Sequence, residues 1–539
     1  MATSLRTDLL ILLGLTLLAA ALRLWGLGDL PQGIHGDEAQ VGMDARRVLD
    51  EGWIGPYTSS ALGQPSGHAY LTAPSVWLFG STAFAVRLPL ALVGIAAIPL
   101  TYVLFRLLST RLLAAIAAFL LATSLWHIHF SRVAHWPISY VTVALAVLIL
   151  WVMAMRTGRW YWFAAAGAVL GLGLYTYNVY PIFIIAFALW VAVYTLLRKR
   201  GPEFMPWAQN VALAALVSLI VALPLFLYVA DPANDYFNHY RGYYEQYSVL
   251  ASDRYEAAGA AERIEIIFGQ AKRFIGAYVW HGLTDYVDAS SPDNRPMLDP
   301  ATIVLVSAGV AYAAYRWRET PHFLALMLVA IIPLTTVLQT NAIYRGPLGV
   351  VPFLSFLAAL PLGLALTNAH RLQPSLRPAV YAAVPLVLLF VAFSNGRAYF
   401  VDWADSYWFP WVYTRQISEG SEYVESLPGE PYVYFYSQRW SFNYETRQYL
   451  APDAQGEDRS REFGRRQGFE GIARSRDAVV LLLPPYTEAF EELRQLYPGG
   501  EALTRRDGDE VLFIAYQLPA LTAPPAPAPS GGNGATPPR

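Results

Sequence analysis

Two adjacent carboxylates, Asp37 and Glu38, stand in "QGIHGDEAQVGMDARRVLDEG" (32–52), just after the first long apolar stretch. A carboxylate can take a proton from a hydroxyl. An acidic pair is also common in the first turn of a helix, where free backbone N–H groups favour negative charge, and Gly36 ahead of the pair fits such a start. Basic and aromatic residues elsewhere supply the context. "LWHIHFSRVAHWP" (125–137) carries His127, His129, Arg132 and His135 between two apolar stretches. Arg23 and Arg87 lie near the ends of the first two stretches, "YTYNVYP" (175–181) holds Tyr177, and "NAIYRGP" (341–347) holds Tyr344 and Arg345. An arginine at membrane depth needs a partner. The plain reading is that Arg132 meets lipid headgroups or pairs with Asp37. The chemical reading is that guanidinium forks hold phosphate oxygens while a carboxylate serves as base. That combination suits a lipid substrate with a phosphate and a polar head. A sugar leaving its lipid phosphate in a single inverting displacement would fit.

Histidines invite a metal reading. His35, His68, His127, His129, His135, His239 and His281 all fall in the segments between or beyond spans on one side. Zinc takes three or four such ligands. His127 and His129, two apart, project to different sides of a helix. The expectation is therefore hydrogen-bonding histidines and no required cofactor, with a divalent metal left open.

The elements that must position these groups are apolar. The chain has 539 residues, 55% hydrophobic and 14% charged, against about 25% charged in soluble domains. A net charge of −2 gives no field that favours nucleic acid. The absence of cysteine excludes disulfides and thiolate metal sites. A bilayer needs roughly 20 apolar residues per helix, and about eleven segments qualify on that measure. They begin near Asp8, Ala83, Leu112, Pro137, Trp160, Tyr180, Ala208, Ala301, His322, Pro347 and Pro378. Lys and Arg concentrate in alternate short loops, at Arg106, Arg111, Arg156, Arg159, Arg198, Lys199, Arg200, Arg316, Arg318, Arg371 and Arg377. The positive-inside rule then puts the N-terminus in the cytoplasm and the acidic pair outside, in a multi-pass protein of the cell (plasma) membrane. Within a membrane domain of residues 1–395, loops 28–81 and 231–300 face out. The second of these contains "AERIEIIFGQAKRFIGAYVW" (261–280), whose Ile264, Ile267, Phe268 and Phe274 mark an amphipathic helix on the membrane surface. "EPYVYFYSQ", "DAVVLLLPPY" and "EVLFIAYQL" read as strands and "YTEAFEELRQLYP" as a helix. Residues 396–518 are accordingly expected to form a small α/β extracytoplasmic domain. The Pro-rich tail 519–539 is expected to be disordered.

Several motifs recur in a familiar order: "GIHGDEAQVGMDARRVLDEG", "WLFGSTAFAVRLPLALVGIAAIPLTYVLFRLL", "WHIHFSRVA" and "GLGLYTYNVYPIFI", then "DPATIVLVSAG" and "YRGPLGVVPFL". Over roughly residues 5–395 the chain resembles the family 39-type membrane glycosyltransferases. These belong to the GT-C superfamily, with the protein O-mannosyltransferases and the aminoarabinose transferase of lipid A. The resemblance implies a GT-C fold and a polyprenyl-phosphate-sugar donor. It implies inversion at the anomeric carbon, with Asp37 as base and Glu38 its neighbour. Arg132 would belong to the phosphate or acceptor region, and Arg345 is placed in the site by position alone. Arg87, His129, His135, Tyr177 and Tyr344 complete the expected substrate-binding set. The acceptor could be a protein, a lipid or a glycan. The acidic second-loop motif of metal-using oligosaccharyltransferases is missing, which favours a metal-free mechanism. Two other classes stay open: a transporter or flippase of anionic lipids, and an adhesion or sensor protein acting through 396–518. The lack of an internal repeat speaks against the first, and the number of spans against the second.

Overall fold

The computed structural model describes residues 2–60, 63–280, 296–340, 345–404, 414–463 and 468–521. Among them, eight helices are long and apolar enough to cross a bilayer, nine if one bent pair counts as a span. Two further apolar helices, 160–175 and 300–315, are shorter. Every one of the eleven expected starting points falls on one of these segments, but those two cannot span as straight rods. Sixteen residues rise about 24 Å, less than the ~30 Å hydrocarbon core.

The chain divides into two compact units, Met1–Thr414 and Arg415–Arg539. In the first, α1 (Ala2–Leu24) leads to a turn and then to the amphipathic α2 (Gly36–Glu51) and to α3 (Gly67–Phe79). The long α4 (Ala83–Leu108) follows, started by the Thr82 hydroxyl, which accepts from the Ala85 N–H. Next come α5 (Arg111–Ala122) and α6 (Leu125–Arg132), bent by 56°. The bend has a local cause: the Ser124 side chain accepts from the His127 N–H and starts a new helix. All eight residues of α6 are buried. A Cβ on Gly94 of α4 would overlap the Ser131 hydroxyl, so glycine there permits the close approach of α6. α7 (Pro137–Thr157), α8 (Trp160–Leu172), α9 (Tyr180–Arg198) and α10 (Phe204–Ala230) complete the first half.

At the far end of α1, Asp8 accepts from Tyr102, Arg106 and Arg111. This contact ties the start of α1 to the end of α4. It also marks the end of the bundle opposite the acidic pair. The amphipathic segment is a helix, Ala260–Val279, with Ile264 and Phe268 more than two-thirds exposed, as a face meant for lipid would be. Residues 281–295, with His281, lie outside the described residues.

The second unit holds a five-stranded sheet, in the order 456–458, 432–436, 478–482, 510–518, 501–507. The first three strands are parallel and the last two pairings antiparallel. One face of the sheet packs Phe435, Val479 and Leu481, and the other Tyr436, Val480 and Leu482. The expected 486–498 helix is a 3-10 turn at Tyr486–Ala489 followed by a short helix, Phe490–Leu496. Of the expected disordered tail, Pro519 and Ala520 are hydrogen-bonded to Arg474 and Asp477. Residues 522–539 lie outside the described set.

Candidate active site

The loop after α1 is held by arginines. Helix ends leave carbonyls without partners, and Arg132 serves those of α1. Its Nη1 donates to Leu22 O at 3.2 Å, and its Nη2 to Gly26 O at 3.1 Å and Leu30 O at 2.9 Å. Its guanidinium also lies 5.6 and 5.2 Å from the rings of Tyr399 and Phe400. Arg132 was expected at a phosphate. Fully buried, with Nη1 on a carbonyl of α1 and Nη2 on two carbonyls of the turn that follows, it instead fastens that turn to the end of α1.

Arg87 departs from expectation for the same reason. Its Nε donates to Glu38 Oε1 at 2.9 Å and its Nη2 to Glu38 Oε2 at 3.1 Å. The remaining N–H groups go to Leu27 O, Pro31 O and Gly33 O. A guanidinium has five N–H donors, so none is left for a substrate. Glu38 is equally committed: Oε2 accepts the His35 N–H at 3.0 Å and Oε1 the Ala134 N–H at 2.9 Å. Neither side chain has any exposed surface. Glu38 is thus a buried strut and not a free acid–base group. Arg23, expected to need a partner, is met by the Ser131 hydroxyl, Ala122 O and His127 Nδ1 and by no carboxylate among the described residues.

Asp37 is different. α2 is capped by His35, whose Nδ1 accepts the Asp37 N–H at 3.1 Å. The plain reading, a first-turn acid, therefore holds for the backbone. The Asp37 side chain, 28% exposed, turns to Arg345: Nη1 lies 3.2 Å from Oδ2. His35 Nδ1 is 3.8 Å from the same oxygen. Arg345, 24% exposed, belongs to the segment leading into the 3-10 turn Gly346–Val350. Tyr140 holds that turn, donating to Gly346 O at 2.7 Å and accepting the Gly349 N–H. Tyr177 stacks on Tyr140 at 5.9 Å. Expected residues from positions 37, 177 and 345 are thereby linked. Tyr344 lies outside the described residues.

His135 is 1% exposed, and neither of its ring nitrogens has a hydrogen-bond partner. Its ring is 5.6 Å from that of His35. Burial, reinforced by the positive charge of Arg345, holds its imidazole well below the usual range, so it is neutral. His129 packs at 4.4 Å against Trp403, deep under the loop. Sequence reasoning missed the closing role of Tyr399 and Trp403, which stand at the end of the last span, Arg377–Trp403, without any motif. His35, Asp37 and His135 offer ligand atoms all within 4.8 Å of one another. Two imidazoles and a carboxylate suit a zinc-like ion. Against this, His35 Nδ1 is engaged by a backbone N–H and Asp37 by a guanidinium.

His68 on α3, 5.2 Å from the Trp136 ring, is lowered by burial to about 3. It is neutral in the fold but takes a proton near pH 6.5 once unfolded. Its contribution is therefore present above pH 6.5 and is lost as pH falls toward about 3. Thermal unfolding midpoints of His68→Gln should fall less steeply than wild type across that window. Equal slopes would mean that His68 is already charged in the fold.

Residues 14–234, less than half of the chain, match the family model described as dolichyl-phosphate-mannose-protein mannosyltransferase. No curated protein matches by sequence. Among solved structures, ArnT from Cupriavidus metallidurans bound to undecaprenyl phosphate is 17% identical, with a TM-score of 0.54 over 96% of this chain and 98% of that one. The Archaeoglobus fulgidus oligosaccharyltransferase AglB, in complex with an inhibitory peptide and a dolichol-phosphate, is 13% identical, with a TM-score of 0.52 over 94% of this chain and 74% of that one. The same archaeal enzyme tethered to an acceptor peptide is 15% identical, with a TM-score of 0.53 over 83% and 63%. At these identities the structures speak to fold. This is a multi-span membrane protein with the GT-C fold, and the resemblance to membrane glycosyltransferases of that superfamily, read from its motifs, is met both by the family model over residues 14–234 and by the fold.

Proposed function

We propose that this protein transfers a sugar from a polyprenyl-phosphate-linked donor to an acceptor hydroxyl at the outer membrane face, with inversion and with Asp37 as base. One observation carries the reading: the two carboxylates are divided in use. Glu38 is buried and saturated, while Asp37 keeps a partly exposed side chain opposite Arg345. The acceptor oxygen attacks the anomeric carbon from the face away from the lipid. The new C–O bond forms as the bond to the phosphate oxygen breaks, and the electron pair leaves with the polyprenyl phosphate. The acceptor proton passes to Asp37 Oδ. Arg345 is the one expected arginine whose guanidinium is not wholly buried, and it holds the phosphate through its fork.

The positive charge at Asp37 comes from Arg345, so no metal is required. The test is transfer by the purified protein from a synthetic polyprenyl-phosphate sugar, with and without chelator. Turnover should persist with chelator. Loss on chelation with recovery on adding zinc would instead make His35, Asp37 and His135 a metal site. Arg345→Ala should weaken donor binding by about tenfold or more, the order of one charge-assisted contact. Arg345→Lys should fall between, because lysine keeps the charge and loses the fork. Unchanged donor affinity in both variants would remove Arg345 from the role. The outward placement rests on the Lys/Arg bias. A reporter fused after Arg415 should be active only outside the cytoplasm, and cytoplasmic activity would invert the scheme.

A further inference from the structure

At the end of the bundle opposite Asp37, a cavity of about 590 Å³ opens where α4, α9 and helices 300–315, 320–331 and 351–368 end or begin. Tyr194, Arg198, Arg318, Glu319 and Thr320 form its polar wall, and Leu113 and Leu364 its apolar one. Glu319 is paired with Arg316 and sits 3.2 Å from His322 Nδ1. Among the described residues, Arg198 and Arg318 have no carboxylate within ion-pair distance. Arg198 Nη2 donates to Arg318 O, and Arg318 lies over the Trp317 ring at 5.6 Å. A second space of about 300 Å³ lies against the same two arginines, walled by Leu197, Trp317 and Phe323 with Tyr194 and Thr320. The two guanidiniums therefore stand between two spaces, each lined by polar and apolar side chains together.

We propose that Arg198 and Arg318 bind the phosphate of a phosphate-bearing ligand, supplied by the bilayer as an anionic lipid headgroup. The chemistry shared with free phosphate is an oxyanion that accepts from two guanidinium forks. Leu197, Trp317 and Phe323 in the adjoining space favour a lipid, because they offer acyl chains a contact that inorganic phosphate would not use. Basic pockets between spanning helices on the cytoplasmic side are suited to such headgroups. This site is separate from the Asp37 centre and does not depend on the reaction assigned there.

The test uses the full-length protein in neutral detergent, titrated with phosphatidylglycerol, phosphatidylcholine or inorganic phosphate while thermal unfolding is followed. Phosphatidylglycerol should raise the midpoint saturably and phosphatidylcholine should not. The variant Arg198→Gln/Arg318→Gln should bind about tenfold or more weakly, the order expected for lost charge-assisted hydrogen bonds. Arg156→Gln/Arg159→Gln, which removes the same charge at the same end of the bundle from residues that do not line the cavity, should keep the full shift. Thr367→Trp, which fills the cavity and leaves both arginines in place, should also lose the shift, and it serves if the arginine variant fails to fold. No saturable shift in the wild type, an undiminished shift in both cavity variants, or equal loss in the Arg156/Arg159 control would overturn the site. If inorganic phosphate gives the same shift, lost in the same variants, the phosphate site stands and the lipid source is overturned.

Discussion

Asp37→Asn should lower turnover by about a hundredfold or more, the usual worth of a positioned general base, while the protein still folds and still binds donor. Asparagine keeps the size of the side chain and can still face Arg345, but it cannot take a proton. The α2 cap is made by the His35 side chain and the Asp37 backbone N–H, neither of which this change touches. If Asp37 were only a first-turn helix charge, the substitution would cost about 0.3–1 kcal/mol of stability and leave turnover intact. Single-turnover transfer and donor affinity, measured on the purified variant, separate the two. Wild-type turnover would place the base elsewhere and make the first loop purely structural.

The second large effect lies one residue away and differs in kind. Glu38→Ala should cost about 3–5 kcal/mol of stability, the range for removing one partner of a buried ion pair. It leaves the Arg87 guanidinium buried and short of two acceptors, and it also strands the His35 and Ala134 N–H groups. The expected readout is a large drop in thermal midpoint or failure to accumulate, ahead of any kinetic change. Glu38→Gln keeps one acceptor oxygen and should fall between. A Glu38→Ala protein with a wild-type midpoint and lost turnover would mean that Glu38 acts on substrate and that the strut is incidental.

The sequence made the spans legible because bilayer length and hydropathy are local properties. It did not separate Asp37 from Glu38, both expected in the catalytic centre: the fold buries Glu38 against Arg87 and leaves Asp37 partly exposed. It did not show which arginines are free. Arg87, Arg132 and Arg345 look alike in a string, and their use depends on acceptors 49, 102 and 308 positions away. The same holds for His35 and His135, whose meeting needs the whole α4–α6 arrangement. In the second unit the three apolar strands could be read, whereas 456–458 and 501–507 could not. The first is three residues long and the second, "EALTRRD", is exposed throughout and carries no alternation. Their strand character comes from a neighbour's backbone.

The Arg87 latch sets an order of assembly. The loop behind α1 is fastened to a donor on α4 and to an N–H that follows α6. While the chain is being made, the first hydrophobic segment can enter the bilayer before any partner of Glu38 from α4 or α6 exists, so residues 25–38 are then held only by their own local contacts. The Glu38 carboxylate lacks its buried partners until the segment bearing Arg87 is inserted, and Ala134 arrives later still. A nascent chain released before residue 134 would therefore hold Glu38 through Arg87 but lack the Ala134 tie. Maturation of the acidic loop is thus gated by the third hydrophobic segment rather than by the one it directly follows.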